Sequence, residues 1–205
     1  MKTKITLALI IIFGLSLLGL SSCLGGGGAN TGFQIVFLSG FMNEDEINSY
    51  GEYLFDLMPE LHVAGRDPRF TPMLMGRNAM GDPQMAMGMA IRLSGMFATA
   101  EVDVVLASMD NANNMAQGGS LMPLSNFLTE AEMRTLGDRI LTFELLSYNQ
   151  YDQQVPSGEI TPPLGFSVTD NEHIRAIFSG QEIGIFIIMN SRNLELAKEV
   201  VRTFL

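Results

Sequence analysis

The sequence predicts an α/β protein whose sheet is mostly parallel, with a mixed sheet as the alternative, and flanked by helices. Three observations predict it. Short apolar runs rich in β-branched residues recur at 33–40, 102–106 and 182–189, and runs of this kind fill strands that are covered on both faces. Segments with helical spacing and capping residues alternate with them. Polar turns close the strands, and such alternation builds a sheet with helices packed on it.

The chain opens with a targeting pattern. Lys2 and Lys4 precede a nearly unbroken apolar stretch, 5–20, which ends Leu20-Ser21-Ser22-Cys23. A basic start, an apolar run short for a membrane span and a small-residue end predict a signal segment. Its end resembles a bacterial lipobox. That resemblance implies a lipoprotein signal peptide over 1–22, with Cys23 lipidated, palmitate being one of its acyl groups, and the chain held at the extracytoplasmic face of the cell membrane. The alternative is an uncleaved anchor helix with Cys23 as a bystander. Cys23 is the only cysteine, so no intrachain disulfide can form. Residues 23–32, with four consecutive glycines, form a tether, because glycine runs are too costly in entropy to order.

Without residues 1–22 the chain holds 10 Lys+Arg against 22 Asp+Glu, a net charge of −12. Such a surface excludes nucleic-acid binding, which needs basic patches. Residues 33–205 suffice for one domain with its own core and not for two of ordinary size.

Within that domain 33–40 is the first strand. Asn43 caps a helix, with Glu46 at the capping-box position. Ile47, Leu54, Met58 and Leu61 share one face, and Pro59 ends the regular helix. Short β-like pieces at 62–64 and 71–75 flank the turn Arg66-Asp67-Pro68. Asp82 and Pro83 open a helix that runs to about Ala100. Seven methionines fall between Met73 and Met96. Met85 and Met89 share a helix face and suit Cu(I), but no His or Cys stands beside them, so core filling is the favoured reading. An adaptable apolar surface for a partner is a further reading.

The segment 101–124 organises the rest. Val102 to Leu106 read as a strand, Ser108 to Asp110 as its turn, and Asp110 as the cap of a short helix that Gly118-Gly119 stops. Thr129 and Glu132 form a capping box for a helix ending at Gly137. Residues 140–148 alternate as one strand, 149–158 form a loop or hairpin turn, and Pro162-Pro163 restrict 160–168 to an edge or crossing segment. Thr169 or Asp170 caps a helix that ends at Gly180. Residues 182–189 give the central strand. Leu194, Ala197, Val200, Val201 and Phe204 form the apolar face of a last helix.

Asp103, Val104, Val105, Ala116, Gly118, Gly119, Leu121, Pro123, Leu124 and Phe127 together resemble the "DVV…GGxLxPL" stretch of extracytoplasmic solute-binding proteins of ABC transporters. The "PPLGFSV" and "NSRN…LELAKEVVRTFL" stretches are similar to further parts of that family. The resemblance implies a periplasmic-binding-protein-like lobe and work with an ABC permease. Those proteins close two lobes on a solute. Here the interval 127–162 is too short for a second lobe, which leaves a single lobe and no hinge to close. The absence of tryptophan removes the usual platform for sugar rings.

Ligand groups are expected at strand-end turns: Ser39, Gly40, Ser108, Asp110, Asn111, Asn190 and Ser191. Turn or cap duty is the competing role of each. No catalytic motif is found, and no cofactor or metal is expected. His62 and His173 are far apart in sequence, and the pairs Asp45/Glu46, Glu130/Glu132 and Asp170/Glu172 stand at helix starts, where capping explains them. Two functions follow: a solute-binding lipoprotein with a small-molecule ligand and a permease partner, or an interaction lipoprotein that keeps the lobe and binds a membrane partner instead. A methionine-based metal carrier is third.

Overall fold

The apolar run expected first is a strand, β1 (Gln34–Ser39), with every residue buried. After it come α1 (Glu44–Leu57), a 3-10 turn (Pro59–His62), β2 (Arg69–Leu74), α2 (Pro83–Ala98), β3 (Val104–Ser108) and α3 (Met109–Gln117). The second half holds α4 (Glu130–Leu136), β4 (Ile140–Leu141), β5 (Glu144–Tyr148), β6 (Gln154–Ile160), β7 (Gly165–Ser167), α5 (Glu172–Phe178), β8 (Ile183–Ile187) and α6 (Leu194–Arg202). This computed structural model describes residues 32–62, 68–75 and 83–205. The leader, Cys23, the tether, most of the turn at 66–68 and the Asp82 cap lie outside the described residues.

Local chemistry sets the helix starts. Asn43 Oδ1 accepts from the Asp45 N–H at 3.2 Å and begins α1. At α4 the expected capping box is complete: the Glu132 N–H donates to Thr129 Oγ1 at 3.2 Å, and the Thr129 N–H donates to Glu132 Oε2 at 2.7 Å. Two caps differ from expectation. Ser108, not Asp110, occupies the N-cap of α3, and Asp110 falls exposed in the first turn. At α5 the cap is Asn171, whose Oδ1 accepts from the His173 and Ile174 N–H groups. In both cases several short polar residues stand in a row, and the one that can reach the free N–H groups depends on where the preceding strand ends.

Six strands form one sheet in the order β2–β1–β3–β8–β7–β4. β1 pairs parallel with β2 and β3, whereas β3–β8, β8–β7 and β7–β4 are all antiparallel. The sheet is therefore mixed, and the expectation of a mostly parallel one is corrected. The physical reason is where the chain re-enters the sheet after α5. The Val168 N–H donates to the Ile183 carbonyl at 2.9 Å, so β8 begins at the edge where β7 ends. β8 is central and fully buried, as expected. Pro72 is tolerated because β2 is an edge strand.

Side chains alternate across this sheet into two cores. Ile35, Phe37, Val104, Leu106, Phe166 and Ile185 face α1, α5 and α6. Val36, Leu38, Val105, Ala107 and Phe186 face α2 and α3. On the first face Phe37 meets Tyr50 edge-on at 6.1 Å and stacks on Phe178 at 6.2 Å. On the second, a Cβ at Gly184 would come within 2.5 Å of the Phe186 ring, and one at Gly165 would strike that ring and the Ile185 carbonyl, so both positions need glycine.

Residues 140–148 are not one strand. β4 joins the main sheet, and β5 leaves it to pair with β6 in a separate, mostly exposed hairpin. At its base the Thr161 N–H donates to the Phe143 carbonyl at 2.9 Å, and the Phe143 N–H to Thr161 Oγ1 at 3.0 Å. The Gln117 side chain grips the outer side of β5: its Nε2 donates to the Glu144 carbonyl and its Oε1 accepts from the Leu146 N–H, both at 2.9 Å.

Candidate functional site

The chain leaves β1 through α1 on one face and enters and leaves β3 through α2 and α3 on the other. β1 and β3 are hydrogen-bonded neighbours running the same way. This is a switch point, the place in an open α/β sheet where the loops diverge and a crevice forms outside the carboxyl ends. Ser39, Gly40, Ser108, Asp110 and Asn111 all belong to these ends.

Their chemistry differs. Ser39 is fully buried, and its Oγ donates to Gln181 Oε1 at 2.8 Å. Gln181 Nε2 in turn donates to the carbonyls of Phe41 and Phe178 at 3.0 and 3.1 Å. Ser39 thus joins the β1 turn to the start of β8. Gly40 is half-buried in the bend beside it. Asn111 Nδ2 donates to Ser108 Oγ at 3.0 Å and to the Met75 carbonyl at 3.1 Å, which fixes the start of α3 against the end of β2.

Beside Asn111 a crevice of about 240 Å³ runs between α2 and α3. Leu38 and Met75 come from the strand ends, Ala90, Leu93, Ser94 and Phe97 from α2, and Asn111, Asn114, Met115, Gly118 and Ser120 from α3 and the turn after it. Of the expected ligand residues only Asn111 lines it. Asn114, Ser94 and Ser120 were not expected. The signal available in the sequence was their spacing, since Asn111 with Asn114, and Ala90 with Ser94, recur one turn apart on their helices.

Asn190 and Ser191 lie elsewhere. Because β8 is antiparallel to β3, with Ile187 opposite Val104, its carboxyl end stands at the amino edge of β3. There both side chains are engaged. Asn190 Nδ2 donates to the Phe97 carbonyl at 2.6 Å. Ser191 Oγ donates to Asp103 Oδ1 at 2.6 Å. Asp103 is buried and also accepts from the Gln34 N–H at 2.9 Å, the Asn193 N–H at 3.1 Å and Asn193 Nδ2 at 3.0 Å. A carboxylate with four donors around it is a structural tie, because each bond offsets part of the cost of burying the charge.

The methionines divide. Met73 and Met96 are buried as core residues, but Met85 and Met87 are 54% and 66% exposed, so core filling does not describe that end of α2. Among the described residues no three His, Cys, Asp or Glu side chains gather as a metal site. His173 stacks on Tyr53 with ring centres 4.3 Å apart. Beneath that stack burial raises the Tyr50 hydroxyl far above its ordinary pKa.

No helix among the described residues is long and apolar enough to cross a membrane. Comparison with protein-family models, with curated proteins and with solved structures finds no match.

Proposed function

We propose that the chain is a membrane-anchored extracytoplasmic lipoprotein, a solute-binding-like component associated with an ABC transporter, and that the α2–α3 crevice is its solute site. One observation carries this reading: a crevice of about 240 Å³ lies between α2 and α3 on one face of the sheet, with Leu38, Met75 and Asn111 from the carboxyl ends of β1, β2 and β3 at one end of it. The lipobox-like end at Cys23, the DVV–GG–PL motif and the acidic exported-type composition support it. Residues Gly32–Leu205 form one compact unit.

The test is a thermal-shift panel of sugars, amino acids and oligopeptides on residues 30–205. A solute at 100 times its dissociation constant stabilises by about 2.7 kcal/mol, several degrees for a domain of this size. The expected result is a shift with one solute class that disappears in Ala90→Trp, where a ring fills the crevice. A folded protein that no solute stabilises sinks the proposal.

A specific observation favours the second reading, an interaction lipoprotein. The outer side of α2 presents Met87 and Ile91 to solvent, Met85 is exposed near the helix start, and an apolar helix exposed in this way fits a protein partner. On that reading the triple change Met85→Ser, Met87→Ser, Ile91→Ser abolishes co-purification with a membrane complex and leaves the fold intact.

A further inference from the structure

The outer side of α2 differs from the surface of the other helices. Between Pro83 and Ala98 the sequence has no carboxylate, whereas α1, α3, α4, α5 and α6 each carry at least one, in a chain with 22 acidic residues. Gly88, Ile91, Gly95 and Ala98 recur at spacings of three and four along that side and are all exposed, with the exposed Met87 beside them. Met85 is exposed near the helix start, and Arg92, next along the chain from Ile91, is exposed too. An apolar ridge without acids, edged by a guanidinium, suits a phospholipid surface. Its side chains enter the headgroup layer, and the arginine reaches a phosphate on its long stem. Methionine side chains adapt to such an irregular, fluid contact.

The place where the tether joins agrees with this, on the reading just given that Cys23 anchors the chain. The tether leads into β1 at Gln34, whose carbonyl accepts from the Asp103 N–H at 3.0 Å. Residues 99–103 alone separate α2 from β3, and the Glu101 N–H donates to the Met96 carbonyl at 2.9 Å. The last turn of α2 therefore stands at the edge where the tether joins. The 16 residues of α2 span about 24 Å. Residues 23–32 reach at most about 35 Å. An anchor of that length allows the whole ridge to lie on lipid. It also holds the domain at a high effective concentration, so that a face of few side chains suffices. We infer that the outer side of α2, from Met85 to Ala98, rests on the phospholipid surface to which the chain is tethered.

The probe is a phosphatidylcholine nanodisc that holds a few paramagnetic headgroups. Residues 23–205 are joined to it by a maleimide lipid through the Cys23 thiol, the only one in the chain. Methyl NMR of the methionines then reads nearness to lipid. Met85 and Met87 are expected to lose most of their signal, whereas Met133, packed against the core on the opposite face of the sheet, keeps its own. Ile91→Glu puts a carboxylate in the middle of the ridge and is expected to restore the Met87 signal. Ile91 is 62% exposed, so this change leaves the fold intact. Methyls of α2 that fade no more than Met133, or that fade equally in Ile91→Glu, overturn the inference and return the face to a protein partner. Mass spectrometry of the full chain recovered from bacterial membranes tests the anchor separately. An acylated Cys23 with unfaded α2 methyls sinks the lipid face and leaves the anchor standing. An unmodified Cys23 sinks both, since no lipid surface is then held beside α2.

Discussion

The two faces of the sheet are covered by helices of very different quality. On one face α1, α5 and α6 close over interlocked rings, with Phe37, Tyr50, Phe178 and Phe204 all buried. On the other, α2 packs through the buried Leu93 and Met96 and the half-buried Met89 and Phe97, and most of its other described side chains are exposed. A close-packed face gains dispersion and hydrophobic energy from every side chain. A helix that leaves most of its side chains in water gains much less, and the room beside it is the crevice. Stability and the candidate site are thus placed on opposite sides of the same strands.

The sharpest way to break this comparison is Phe37→Ala. It removes a ring from the centre of the close-packed face, with an expected loss of about 4 kcal/mol. Urea unfolding at an unchanged slope would show it, and a loss no larger than that of Leu93→Ala would mean the faces are equivalent. Next is Asp103→Ala, which leaves the Gln34 N–H, Ser191 and Asn193 without their acceptor. A cost of about 3 kcal/mol is expected, and hydrogen exchange should rise first at Gln34 and Asn193. Glu132 gives a pH test of the covered face. The Thr129 backbone N–H, then its hydroxyl, hold this carboxyl below its ordinary range, and Arg202 adds to the effect. A lowered folded-state value stabilises above the unfolded pKa of about 4.3, and the benefit is lost as pH falls through the folded value. The gap in melting temperature between the native chain and Glu132→Gln should therefore be present at neutral pH and close as pH falls below the ordinary glutamate range. The smallest effect belongs to Ile91→Ser on the open face, within about 0.5 kcal/mol of zero. A larger loss would show that α2 is buried against something.

Much of the fold was legible because periodicity reports local burial. The runs at β1, β3 and β8, the apolar faces of α1 and α6 and the Thr129–Glu132 box follow from neighbouring residues alone. Strand direction does not. The antiparallel setting of β8 depends on where α5 delivers the chain, and that single fact moves Asn190 and Ser191 to the far edge. The same holds for Ser39, whose partner Gln181 is 142 positions away. Asn111 was found because it stands within a turn of the end of β3. Phe97 and Ser120 were not, since they reach the crevice only through the crossing of two helices.

The rung between Phe143 and Thr161 closes the body beneath the hairpin. Everything from Glu144 to Ile160 hangs from that rung, steadied by the side-chain amide of Gln117. Exposed segments with adjoining ends are where chains accept insertions most readily. The base of the hairpin is thus a grafting point. A short linker can replace the arm, or a longer module can be spliced in, without the six-stranded sheet changing its register.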